Sequence, residues 1–416
     1  MPSKQDVAIL RNLASQVAEI AALPIQAQKR DLWRKLNGLN PERPMVAIDQ
    51  VCWNEMNVDD ELTLQCQTPL TRQYEENLRQ TLYKWKHMPV DFVVDDFVKV
   101  SKAVDGMVGN AFDLGIQVQE STLSSDSSNE VLSHAYLNQF NSTKDLEKIK
   151  MPVISHNKAE TDRRVALAHE IFDGILDIRL DGVDPYLSVW DAVSQWMSVE
   201  GMMYAMVDDP ELMLELANRL VACYMSGLDQ LEREGLLVGQ QEWIHCTGAW
   251  TDDLPGNNFN KAKPMTKDIW MFGLAQPFSS VSPGMFDELE IAPNMPLFER
   301  FGLVYYGCCD PLDRKMEEVL RIPNLRKVSV SPWAKKEPCA EALGRGYVFS
   351  GKPSPAVLVP ESFDEDALRK DLLESIAVCK QYGCPLELIL KDISTVKYQP
   401  QRLWRWAEIA MECVMQ

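Results

Sequence analysis

Apolar residues recur at close to 3.6-residue spacing through Val7, Leu10, Leu13 and Val17, and Leu23-Pro24 interrupts the run, so residues 3–38 are expected to form two helices. A strand is expected over 45–51, after the breakers Asn40-Pro41 and Arg43-Pro44, and a further helix over 69–87. Residues 91–120 alternate in the manner of strands, as in Phe92-Val93-Val94 and Ile116-Gln117-Val118, and 121–130 reads as a polar loop. From about 157 onward, helical patterns at 158–173, 186–206, 209–234, 284–300, 311–321, 335–343, 364–382 and 401–414 are interspersed with short apolar runs. Those runs fall at 243–246, 270–274, 303–308, 327–330, 347–349 and 386–390. Strands alternating with helices point to a parallel sheet with helices outside it. The number of units favours a closed (β/α)8 barrel of the TIM type with an N-terminal helical extension. The division expected is an extension over 1–90 and a barrel over 91–416, with 45–51 as a candidate first barrel strand.

Composition narrows the function. The formal net charge is −19, which disfavours nucleic acid and anionic membrane surfaces, because both are bound through an excess of basic residues. No window approaches the roughly 18 apolar residues of a membrane span, and the first residues carry no signal-peptide pattern. The ten cysteines are scattered rather than spaced as a disulfide framework, so free thiols in a reducing cytoplasm are expected.

In a (β/α)8 barrel the residues just after each strand gather at one mouth, where chemistry sits. Those positions hold Asp49, Gln50, Trp53, His245, Gln276, Ser279, Cys308, Cys309, Asp310, Trp333, Lys352 and Asp392. Asp310 also reads as the cap of the following helix, with Pro311 as its first residue. No Gly-x-Gly-x-x-Gly, Walker loop, His-Glu-x-x-His or Gly-x-Ser-x-Gly motif is present. His245, Cys308, Cys309 and Glu288 supply imidazole, thiolate and carboxylate, the ligand types of a catalytic zinc site. Buried structural cysteines and a structural histidine would explain the same residues equally simply. Adjacent cysteines in a regular strand point to opposite faces, so only one of Cys308 and Cys309 is expected to face the mouth unless the backbone turns sharply there. Trp53, Trp250, Phe278, Tyr306 and Trp333 are candidates for a flat pocket, with core packing as the alternative.

Three stretches, Val281-Ser282-Pro283-Gly284-Met285-Phe286-Asp287-Glu288, Phe298-Glu299-Arg300-Phe301 and Tyr305-Tyr306-Gly307-Cys308-Cys309-Asp310-Pro311-Leu312, resemble the uroporphyrinogen decarboxylase superfamily. The resemblance is to its cobalamin-dependent methyltransferase branch, and the Ile389-Leu390-Lys391-Asp392-Ile393-Ser394-Thr395 run adds to it. It covers about residues 155–414. It implies a (β/α)8 barrel, zinc as cofactor, and methyl transfer from a small methylated substrate to cobalamin carried by a partner corrinoid protein. An O-demethylase component acting on a methoxylated aromatic is the expected form, with Glu288 and Asp392 as catalytic residues. The branch's His-x-Cys-Gly stretch is replaced here by Tyr306-Gly307-Cys308-Cys309, and Asp392 stands near its second cysteine, so the ligand set is not carried over intact. The decarboxylase's Arg-rich strand-end motif is missing: Asp49-Gln50 follows the first apolar run, and no arginine comes until Arg72. A decarboxylase or a non-catalytic tetrapyrrole-binding barrel remains as the alternative.

Overall fold

The structure is a computed structural model that describes residues 2–123 and 133–416. Eight strands in parallel pairings are central to it: β1 (Met45–Ile48), β2 (Phe97–Ser101), β3 (Asp177–Asp181), β4 (Trp270–Gly273), β5 (Leu303–Tyr306), β6 (Leu325–Val330), β7 (Val348–Gly351) and β8 (Leu386–Leu390). Six of them form one sheet in the order β1-β8-β7-β6-β5-β4, and β2 pairs with β3 separately. First and last strands are neighbours in a continuous register from Met45 opposite Glu387 to Ile48 opposite Leu390. β1, β5, β7 and β8 are buried at every position, as a parallel sheet covered on both faces requires. The fold is therefore α/β with a six-stranded parallel sheet.

The N-terminal helices have local causes. Ser3 caps the helix Lys4–Ala21 by accepting from the Asp6 N–H, and its Leu10, Leu13, Ala14 and Val17 face a small core shared with the helices Pro69–His87 and Lys158–Phe172. The larger core surrounds the six-stranded sheet. No helix among the described residues is long and apolar enough to cross a membrane.

Several expected elements differ. The helix expected over 186–206 breaks at Ser198, whose φ of 62° ends Val189–Met197 and starts Val199–Asp208. Of 311–321, only Met316–Val319 is helical. Asp310 is therefore not that helix's cap; its buried carboxyl closes the preceding turn by accepting the Cys308 N–H at 3.3 Å. The helix expected over 284–300 contains a π-turn at Asp287–Ile291. Glu120–Leu123 pairs with Ser133–Tyr136 where a loop was expected, and the rest of that loop, 124–130, lies outside the described residues.

Beneath the strand ends, one sheet face is polar although fully buried. Lys327 on β6 and Glu387 on β8 form an ion pair at 2.8 Å, and Thr247 adds a hydrogen bond to the same carboxylate oxygen at 2.7 Å. Beside them, Lys352 donates to the Tyr305 hydroxyl and to Ser350 Oγ, both at 2.6 Å. Burial lowers the Lys352 pKa to about 8.

Candidate active site

All six strands of the sheet are parallel, so their C-terminal ends share one edge, and the chemistry collects there. Cys308 is its centre. Its sulfur lies 3.3 Å from His245 Nε2 and 3.6 Å from Cys309 Sγ, and it accepts hydrogen bonds from Gln276 Nε2 at 2.8 Å and Lys391 Nζ at 3.1 Å. Cys309 donates to Asp392 Oδ2 at 3.0 Å. Lys391 also reaches Cys309 Sγ at 3.5 Å and Asp392 Oδ2 at 2.8 Å.

The local backbone explains this convergence. β5 ends at Tyr306, and Gly307 takes φ +92°, so the alternation expected of a regular strand stops before the cysteines and both thiols turn to the same side. Only one of them would face the mouth on a regular strand; the sharp turn at Gly307 is the exception that brings both there. A Cβ at Gly307 would stand 2.7 Å from Leu312 Cδ1 and 3.3 Å from Ser329 Cβ. Ser329 Oγ donates to the Cys308 carbonyl at 2.7 Å.

His245 is placed differently from the strand end expected of it. Trp243–Ile244 and Thr247–Gly248 pair as a short antiparallel hairpin, with His245 and Cys246 as its two-residue loop at φ 30° and 71°. Positive φ at two non-glycine residues stores strain that the surroundings must hold. Here the His245 ring is stacked on Phe272 with centroids 3.8 Å apart, and Cys246 is buried.

The electrostatics separate the two thiols. The neighbouring Cys309 S–H lowers the Cys308 pKa; burial opposes this, and His245 and Lys391 reinforce it. Cys309 moves the opposite way, pushed up by Cys308 and by burial. Cys308 is thus the thiolate and Cys309 keeps its proton. Burial disfavours the charge on Lys391, but Cys308, Asp392 and Cys309 outweigh it and raise its pKa. Burial likewise opposes the Asp392 carboxylate, and the hydrogen bonds from Lys391 and Cys309 overcome that to lower its pKa.

The remaining sequence candidates divide. Glu288 is exposed on the π-turn and does not join the cluster; the inward carboxyl there is Glu290. Glu290 accepts from the Tyr306 hydroxyl at 3.0 Å and from Asn294 at 2.9 Å, and burial raises its pKa to about 8. Phe278, Tyr306 and Trp250 are buried in the hydrophobic cores, so these three are packing residues and not a pocket wall. Trp53 packs edge-on to Tyr83, and Trp333 is 76 % exposed. Asp49 accepts from the Trp243 indole at 2.7 Å, and Ser279 only bonds the Gln276 carbonyl. Lys391 escapes a reading of the sequence because it closes an apolar run and reads as a strand end. Its position beside Asp392 is the available signal.

The donor set bears on zinc. His245, Cys308, Cys309 and Asp392 are nitrogen, sulfur and oxygen ligands of the right kinds. Their successive separations of 3.3, 3.6 and 3.0 Å lie near the edges, about 3.3–3.8 Å, of a tetrahedron built on zinc bonds of about 2.0–2.3 Å. By donor chemistry the residues suit the ion, but their arrangement does not yet converge on one point. As they stand they form a chain rather than a cage, with the Lys391 ammonium against three of them. Among the described residues no three of His, Cys, Asp or Glu are grouped so as to hold a metal.

No family model and no curated protein matches the chain. Among solved structures it is similar to a methyltransferase from Methanosarcina mazei, with a TM-score of 0.50 over 92 % of this chain and 97 % of that one. The two share a fold. At 12 % sequence identity, the likeness extends to the fold alone.

Proposed function

We propose that the chain is a methyltransferase that moves a methyl group from a small methylated donor to the cobalt(I) of a corrinoid carried by a separate protein. The observation that carries this reading is the convergence of the Cys308 sulfur with an imidazole, a second thiol and a carboxylate at the strand-end edge of a sheet, in a fold shared with a methyltransferase. We read the six-stranded sheet and the β2–β3 pair as arcs of one closed (β/α)8 barrel; a parallel bridge between Val183, just past β3, and Leu237 extends the second arc by one segment.

His245, Cys308, Cys309 and Asp392 carry the donor types from which a zinc site would have to be assembled, and zinc bound there would supply Lewis acidity to a leaving atom that has a lone pair, such as an ether oxygen. The chain's own groups prepare the site. Gln276 and Lys391 fix the lone pairs of Cys308, and Asp392 holds the Cys309 proton at Oδ2. Lys391 offsets the negative charge that two sulfurs and a carboxylate would otherwise concentrate. Glu288 is too exposed for the catalytic role expected of it, whereas Asp392 stays in the cluster. Of the five aromatics expected to line a flat pocket, three are buried in the cores, which removes that ground for a methoxylated aromatic donor.

The test is cobalt methylation. The purified chain is mixed with a separately purified corrinoid protein reduced to cobalt(I), with methoxybenzoates and methylammonium salts as donors. Methylcobalt absorbance should grow with the wild type and not with Cys308→Ser, which replaces a thiolate by a poor donor. Equal rates with Cys308→Ser, or donor demethylation with no corrinoid present, would overturn the proposal.

A further inference from the structure

One carboxylate near Cys308 takes no part in the cluster. Asp191 lies in the first turn of the helix Val189–Met197, anchored by Ser188, whose Oγ accepts the Asp191 N–H at 3.3 Å. Its Oδ2 accepts the Tyr186 hydroxyl at 2.7 Å. Neither partner is charged.

Tyr186 leads back to the thiolate through a row of rings. Its ring lies 6.4 Å from Phe272, Phe272 is stacked on His245, and His245 Nε2 lies 3.3 Å from Cys308 Sγ. Tyr186 is 39 % exposed and Phe272 partly exposed, whereas Tyr305, behind Phe272, is buried. Burial raises the Asp191 pKa, the Tyr186 hydrogen bond opposes that, and the charge of Cys308 raises it further.

We propose that the wall formed by Asp191, Tyr186 and Phe272 is the donor subsite and that it takes a quaternary methylammonium group. A cation sheathed in methyls is attracted by aromatic faces and by a carboxylate whose hydrogen-bond partners among the described residues are neutral. The chemistry of departure agrees. When a quaternary ammonium gives its methyl to cobalt(I), the C–N bond breaks and its electron pair stays on nitrogen. The new C–Co bond takes the pair of electrons from cobalt, and a neutral tertiary amine leaves with no proton required. An ether would instead release an alkoxide or phenolate whose charge would have to be met by Lys391 or a bound metal, whereas a departing tertiary amine needs neither.

This inference rests on the methyl-transfer reading, and its test keeps the two apart because no corrinoid is present. Calorimetric titration uses tetramethylammonium chloride at constant ionic strength, with anisole and the neutral, similarly shaped 2,2-dimethylpropanol as comparisons. Tetramethylammonium should bind more tightly than either. Asp191→Asn and Phe272→Leu should each weaken it by at least about fivefold while leaving the neutral compounds within about twofold. Unfolding midpoints of the variants verify that they fold, and Tyr186→Phe, which keeps the ring and removes the hydroxyl that orients Asp191, serves if Asp191→Asn does not. Tetramethylammonium bound no better than the alcohol, or equally well by the variants, would overturn the proposal. Anisole bound more tightly and indifferent to Asp191→Asn would return the donor to an ether. Failure of the titration leaves the cobalt-methylation test standing, and failure of that test leaves a cation-binding wall.

Discussion

Gly307→Ala is expected to cost about 2–5 kcal/mol and to pull the two thiols apart. The first contribution is the backbone: at φ +92° an L-residue pays for a left-handed conformation, about 1–2 kcal/mol. The second is space. The new methyl would lie 2.7 Å from Leu312 Cδ1, and Leu312 is fully buried, so it must repack at an overpacking cost of about 1–3 kcal/mol. Gly109→Ala isolates the first contribution, since Gly109 has φ +60° and its added methyl would meet no atom within 4 Å. Urea unfolding of both variants gives the difference. The thiol geometry is read separately by mass spectrometry after treatment with phenylarsine oxide, a trivalent arsenical that bridges two nearby sulfurs. Wild type, with its sulfurs 3.6 Å apart, should bridge at 308–309, and Gly307→Ala should do so less. If Gly307→Ala is no more costly than Gly109→Ala and bridges as readily, the account of how this turn sets the site is wrong.

Two further outcomes follow from buried charges. Glu290 has a folded pKa raised by burial to about 8, so the folded chain keeps a proton that the unfolded chain has already released above its ordinary value of 4.5. Its stabilising contribution is therefore complete below about pH 4.5 and is lost as pH rises through about 8. Glu290→Gln should flatten the fall in unfolding midpoint between about pH 5 and pH 8.5, and an unchanged slope would refute this. Lys327→Met leaves Glu387 without its partner in a fully buried site and should cost about 3–5 kcal/mol by denaturant unfolding. A loss below about 1 kcal/mol would mean that Lys352 takes over the pairing.

Periodicity reads the outer helices and the strands β4 to β8 closely, because long amphipathic runs and short buried runs leave a clear trace. Glu288 ends a run that resembles the family, but it faces solvent, while Glu290 stands at helical spacing from buried Phe286, Asn294 and Leu297. What periodicity misses lies where the backbone leaves its regular period. Cys308 and Cys309 fall on opposite faces of a regular strand, and nothing in a strand pattern shows that Gly307 turns the chain. His245 is legible as a residue type, but not as the tip of a strained hairpin. Asp191 gives no signal in the sequence, and Lys391 gives only its place beside Asp392, since its contact with Cys308 comes from a segment distant in sequence.

That distance has a consequence for how the chain is made. Lys391 follows Cys308 by 83 residues, and β1 finds its neighbour only when β8 exists. At about 5–20 residues per second, synthesis leaves about 4–17 s during which both cysteines have emerged without their ammonium or the Asp392 carboxylate. Through that interval they are ordinary vicinal thiols, open to oxidation or capture by stray soft metals. The growing chain thus passes through a chemically vulnerable stage that the finished protein no longer has, and expression under oxidising conditions should damage this pair before the fold can shelter it.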